Sequence, residues 1–203
     1  MNTRHFHRQQ RGATLIVGLI FMVALTLLGV IAMKSTVLQE RMAGGLRDRS
    51  LAFQSAEAAL RDAKFDILAL RANGTPCIAG SVGCRPAGER PLGVGGAGST
   101  PFTQACTNGQ CDGILVGGGY AYGAGPHTIN SMTAAPSVPY GQFTGAAPMV
   151  TGVTGVAALP RYLIEVFVRT DENGDPRYFY RIVARAVGTN LNTVVTLQEV
   201  FAP

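Results

Sequence analysis

The residues best equipped for chemistry in this 203-residue chain are four cysteines, Cys77, Cys84, Cys106 and Cys111. Their spacings, six and then four intervening residues within each half, lack the C-x2-C knuckle of most structural zinc sites. His127 is the only histidine beyond the first dozen residues, so no second imidazole is at hand for a mixed Cys/His centre. An even cysteine count in an oxidising compartment favours two disulfides instead of a metal site. Three connectivities are possible. The turn dipeptide in Thr107-Asn108-Gly109-Gln110 favours Cys106–Cys111, and with it Cys77–Cys84. Closing either small loop restricts the unfolded chain, a stabilisation of roughly 2–3 kcal/mol in the entropy model.

Other constellations lead away from catalysis. No serine, histidine and acid grouping suggests itself. Gly93-Val94-Gly95-Gly96-Ala97-Gly98 and Gly117-Gly118-Gly119 are glycine-dense, but neither has the lysine and Ser/Thr offsets of a phosphate loop. Asp171-Glu172-Asn173-Gly174-Asp175 has acids at alternate positions, yet its glycine comes two places early for a calcium loop and no glutamate stands at the twelfth position. Asn-Gly is a strong hairpin signal, so a turn is expected there. Arg177, Arg181 and Arg185 share one side of a predicted strand and are expected on its solvated face. Asp62 and Asp66 are expected on the solvated face of a helix. No enzyme activity, cofactor or metal is expected.

The elements that must position these residues begin with the N-terminus. A leader with Arg4, Arg8 and Arg11 and no acid ends at Gly12, and an uncharged apolar run extends from Ala13 to Met33. A helix over that run spans roughly 30 Å, the thickness of a bilayer's hydrocarbon core. The positive-inside rule keeps the leader cytoplasmic and exports the rest. Three fates are open to such a segment: a cleaved signal peptide, an uncleaved anchor, or a hydrophobic helix retained after a cut behind Gly12. A signal peptide would end its shorter apolar stretch in a small-x-small site. Here the helical pattern continues instead. Leu38, Met42, Leu46, Phe53, Ala56, Leu60, Ala63, Ile67 and Leu70 recur at spacings of three, four and seven, with charges between them. Asn73-Gly74-Thr75-Pro76 offers a stop signal, so the helix is expected to run from Ala13 to Arg71. Gly44-Gly45 is its weak point, where bending or local melting is expected.

The chain from Ala72 to Pro160 turns to Gly, Ala, Pro, Ser and Thr, a composition for loops and short strands. Three β-rich runs follow, 161–168, 178–187 and 193–200, and predict an antiparallel meander set against the helix around Phe53 to Leu70. The fold class is therefore α+β.

A helix greasy in its first half and amphipathic in its second is the layout of type IV pilins, and the residues resemble the PilX-type minor pilins. The resemblance is carried by Gln10-Arg11-Gly12-Ala13 before the apolar run, by Glu40-Arg41-Met42-Ala43-Gly44 leading into Arg47-Asp48-Arg49, and by Leu51-Ala52-Phe53-Gln54-Ser55-Ala56-Glu57-Ala58-Ala59-Leu60-Arg61. It implies a type IV pilin-like fold, a long N-terminal helix on a β-sheet head. It also implies that a prepilin peptidase cuts between Gly12 and Ala13 and methylates the new amine of Ala13. The domain organisation expected is a leader (1–12), a membrane and filament-core half-helix (13–33), an amphipathic half-helix (34–71), a Gly/Ala-rich loop region with the cysteines (72–160) and the β-meander (161–203).

One departure stands out. Most type IV pilins have glutamate as the fifth residue of the mature chain, and here that position is Val17. The resemblance implies an inner-membrane protein with a periplasmic head that later joins the pilus. Its implied partners are the peptidase, the inner-membrane assembly platform, other minor pilins and a tip adhesin. A tip pseudopilin of type II secretion and an uncleaved membrane-anchored binding or sensor protein are the alternatives. Nucleic acid is not expected as a partner: three arginines leave with the leader, which lowers the net charge of +5 to about +2.

Overall fold

The computed structural model describes residues 13–91, 102–103, 106–112, 115–116, 119–120, 132–152 and 155–203. Gly12, the leader arginines, His127 and the Gly93 to Gly98 run lie outside the described residues. The chain divides into two compact units between Leu46 and Arg47.

Helix α1, Ala13–Ile67, contributes to both units. In the first, every side chain from residue 14 to 33 is exposed, Leu15, Phe21 and Met33 among them. The polar Thr26 does not break this surface, because its hydroxyl donates to the Val23 carbonyl at 2.8 Å. The helix does not melt at Gly44-Gly45. Each glycine lowers helix propensity by about 1 kcal/mol but leaves the i→i−4 hydrogen bonds intact.

In the second unit the sequence folds into a mixed sheet against the end of α1. Strands β1 (Gln110–Asp112), β4 (Val138–Pro139), β5 (Arg161–Thr170), β6 (Pro176–Val187) and β7 (Val194–Phe201) form one sheet among the described residues. Strands β2 (Leu115–Val116) and β3 (Gly119–Tyr120) pair separately as a small antiparallel ladder. The three long strands make the expected meander, with Ile164 opposite Ile182 and Ile182 opposite Glu199. Two additions escape the sequence pattern. β1 runs parallel to β5, and β4 pairs antiparallel with the start of the same strand. Both are too short for periodicity to register.

Alternation along the strands puts Tyr162, Ile164, Val166, Tyr180, Ile182 and Ala184 on one face, where they meet Ala59, Leu60, Ala63 and Ile67 of α1. Small alanines let the helix approach the sheet closely. Burying such side chains contributes about 25 cal/mol per Å² of apolar surface. Phe53 is not part of this contact, contrary to expectation, and stays 44% exposed. The helix instead turns Ala52, Ser55 and Ala56 inward, a narrower stripe one residue off the Phe53 line.

α1 ends at Ile67, not Arg71. Ala69 adopts φ 52°, the left-handed conformation usually left to glycine. Its amide donates to the Asp66 carbonyl at 3.1 Å, and the Leu70 amide to the Phe65 carbonyl at 2.8 Å. That pair of bonds is a Schellman cap built on alanine. The expected stop signal has a different task. Gly74, at φ 81°, turns the chain so that Leu70 bridges Pro76 and the Cys77 amide reaches the Ala69 carbonyl. Asn73 Oδ1 holds this turn through the Thr75 amide and hydroxyl.

Two solvation expectations are overturned. Asp62 and Asp66 are buried on the sheet-facing side of α1. Arg181 is buried as well, paired with Glu165 directly across from it on β5. Each charge found a tertiary partner, which local charge patterning cannot reveal. Between β5 and β6 the expected hairpin turn is present. Asp171 Oδ1 accepts the Asn173 and Asp175 amides, both at 2.9 Å, with Gly174 at φ 87°. No cluster of potential metal ligands occurs among the described residues.

Candidate functional site

Two features concentrate the chemistry, one in each unit. The first is the apolar surface of α1 from Thr14 to Met33, long and apolar enough to cross a membrane. Val17 lies within it, exposed like its neighbours, and the helix contributes no polar side chain near it beyond Thr14. An exposed all-apolar helix is stable only against lipid or other apolar helices.

The second is a buried polar cluster that fastens the loops of the head to α1. Asp62 and Asp66 stand one helical turn apart on the same face, which would be repulsive on an isolated helix. Asp66 accepts Arg85 Nε at 2.6 Å and Arg85 Nη2 at 2.8 Å, a bidentate pair, and also the Tyr162 hydroxyl at 2.8 Å. Arg85 Nη2 donates onward to the Asn108 carbonyl at 2.9 Å, and the guanidinium lies 3.9 Å from the Phe143 ring centroid. Burial favours loss of the Arg85 charge, but the adjoining Asp66 carboxylate outweighs it and holds the guanidinium above its ordinary pKa. Burial, reinforced by the same carboxylate, pushes the Tyr162 phenol well up.

Asp62 serves a different loop. Its Oδ2 accepts the Gly141 amide at 2.7 Å and its Oδ1 the Thr144 hydroxyl. Burial raises its pKa to about 6, against the lowering effect of those two bonds and with a smaller upward push from Asp66. Nearer the start of the unit, Asp48 Oδ1 accepts the Thr189 amide and hydroxyl, fastening the β6–β7 loop. Hydrogen bonds from Thr193 and Thr189 hold the Asp48 carboxyl below its ordinary value.

The cysteines frame this cluster. Cys77–Cys84 closes the loop that ends one residue before Arg85, and Cys106–Cys111 closes the loop that contains Asn108. Gly109 takes φ +76° in the second loop, and a Cβ there would lie 2.4 Å from Val138 Cγ2. Chemically the cluster is an anchor. Every carboxylate oxygen of Asp62 and Asp66 already accepts a donor, the Thr144 and Tyr162 hydroxyls among them.

Sequence reasoning passed over Asp62, Asp66, Arg85 and Tyr162. One signal was available. Two aspartates at i,i+4, in register with the buried Ala59 and Ala63, make sense only where tertiary donors meet them.

Comparison with known proteins agrees with the architecture. A family model described as PilX N-terminal matches residues 11–61, covering the leader junction and most of α1. A second, described as type IV pilus assembly protein PilX C-term, matches residues 99–203, just over half of the chain. No curated protein and no solved structure matches it. With an apolar N-terminal segment in one unit, a mixed sheet packed on the end of α1 in the other, and both family models in order along its length, the chain belongs to the PilX family of type IV pilus assembly proteins.

Proposed function

We propose that this minor pilin primes pilus assembly from the filament tip, within a complex of other minor pilins beneath a larger adhesin. Through that role it supports adhesion and twitching motility. It acts as a structural subunit and not as a catalyst. A prepilin peptidase cuts between Gly12 and Ala13 and methylates Ala13. The protein then waits in the inner membrane with its head in the periplasm until the assembly platform draws it into the filament.

The observation that carries the tip placement is Val17, an apolar side chain at the position where most type IV pilins have glutamate. A carboxylate buried among packed helices costs several kcal/mol unless a cation pairs with it. In a filament that cation would be the terminal amine of the subunit docked ahead. A subunit with none ahead has no use for the carboxylate, and valine packs there without penalty.

Two measurements test this. Mass spectrometry of the N-terminus should find N-methyl-Ala13; an intact Met1 would indicate an uncleaved anchor, and a cut near Lys34 a signal peptide. Immunogold labelling of sheared pili should place the protein at filament ends, and an even distribution along them would remove the tip placement.

A further inference from the structure

On the sheet face turned away from α1, the start of β5 meets the end of β6 in a pocket of about 540 Å³. Its walls are mostly apolar, with Met132, Leu159, Val187 and Leu191 among them. Two cations project from this apolar frame. Arg161 and Arg185 are direct cross-strand partners in the β5–β6 register, and both line the pocket. Like charges placed directly opposite in a sheet destabilise it. No acidic residue is among those lining the pocket. Glu165, on the same face, lies four residues along β5, roughly 13 Å at strand rise, and is engaged by Arg181.

The two arginines are prepared differently. Arg161 is held in place. Its Nε donates to Ser137 Oγ at 2.7 Å and its Nη2 to the Ser137 carbonyl, while Ser137 Oγ donates in turn to the Ala134 carbonyl at 2.6 Å. The Arg185 guanidinium makes no hydrogen bond or ion pair with any described residue. A fixed guanidinium beside an uncommitted one, inside an apolar wall, suits a carboxylate that arrives attached to apolar groups. A bare inorganic anion would leave most of the wall unused, and the pocket is of a size that takes up whole ligand groups.

We infer that this pocket is a docking site for a partner protein, and that it receives an acidic side chain flanked by an apolar residue. The two guanidiniums supply charge-assisted hydrogen bonds to the carboxylate. The apolar wall, rimmed by the exposed Leu191, buries the neighbouring side chain. The inference does not depend on where the subunit stands in a filament.

A photoreactive amino acid placed at Thr133 or Leu191 of the full-length protein, expressed in its own cells, tests it. Mass spectrometry of the cross-linked product should map to a partner segment with Asp or Glu beside an apolar residue. Arg185→Glu should lower the yield at least about tenfold, as expected for removing one member of a desolvated charge pair, whereas Arg185→Lys should retain much of it. Changing the mapped acid to arginine should restore cross-linking in the Arg185→Glu background. Arg185 is the better position to vary, since its side chain holds no internal bond, and Arg185→Gln serves if the reversal prevents folding. A yield unchanged by these variants overturns the inference. So does a cross-link to lipid or to a segment without an acid, or no cross-link from either position.

Discussion

Asp66 and Arg85 meet through two charge-assisted hydrogen bonds, 2.6 and 2.8 Å long, with side chains no more than 2% exposed. Nineteen residues separate them, and their pairing fixes the first disulfide loop on the end of α1. Arg85→Ala should destabilise the head by about 3–5 kcal/mol, because it leaves Asp66 charged and buried without its counterion. Replacing the group by apolar residues, as Asp66→Leu with Arg85→Met and Tyr162→Phe, should recover much of that loss. Urea unfolding of the full-length protein in detergent, followed by near-ultraviolet circular dichroism, measures both.

Asp62 makes stability depend on pH in a defined direction. Its pKa in the folded protein is about 6, above the roughly 3.9 of an unfolded aspartate. Between those values the folded state binds more protons than the unfolded one. The stabilisation from Asp62 is therefore complete below about pH 4 and is lost as pH rises through about 6. A shift of about two units corresponds to roughly 2–3 kcal/mol. The fall in unfolding free energy from pH 4 to pH 7 should be smaller in Asp62→Asn than in the parent by that order. Carbon-13 NMR titration of Thr144→Val should find the Asp62 pKa higher still, since the Thr144 hydroxyl lowers it.

Each disulfide closes a short loop, with sequence separations of seven and five. Replacing either pair by serine should cost roughly 2–3 kcal/mol in the entropy model. The first pair should couple to Arg85: a double-mutant cycle between Cys77→Ser/Cys84→Ser and Arg85→Ala should be non-additive by at least about 0.5 kcal/mol, because both changes loosen the same loop. The same denaturation measurements read the coupling.

Gly109→Ala should destabilise the second loop by about 1–3 kcal/mol. The residue must keep a left-handed backbone, which costs a non-glycine residue about 1 kcal/mol, and its new methyl would overlap Val138. A lowered thermal midpoint with both disulfides still formed, shown by thiol counting, is the expected result.

Gly12→Val should block the cut before Ala13. The protein should then run at unprocessed size on gels of membrane fractions and be missing from sheared pili.

The α+β layout was legible because its signals are local and repetitive. An uncharged run from Ala13 to Met33, a recurring helical stripe and three β-branched strands each depend on neighbours in sequence. The pairing of β5 with β6 followed from the Asn173-Gly174 turn between those two runs. Where α1 stops was not legible, because Ala69 takes a left-handed conformation that its own side chain disfavours and the surrounding bonds impose. Phe53 misled because its spacing fits a helical stripe, while the buried side of α1 there carries Ala52 and Ala56 and the sheet meets Ala59 and Ala63 further on.

The sequence by itself determined the membrane-compatible helix, the existence of a β-rich head and the family, since hydrophobic periodicity and residue motifs need no tertiary contact to be read. Only the tertiary structure decided which charges are buried. Asp62, Asp66, Arg85, Glu165 and Arg181 look solvated in sequence, because a charge is tolerated inside only when a partner from a distant segment meets it. Those partners lie 16 to 96 residues away. The same holds for Arg161 and Arg185, which strand pairing brings together across 24 residues of sequence and leaves facing a pocket without a described acid.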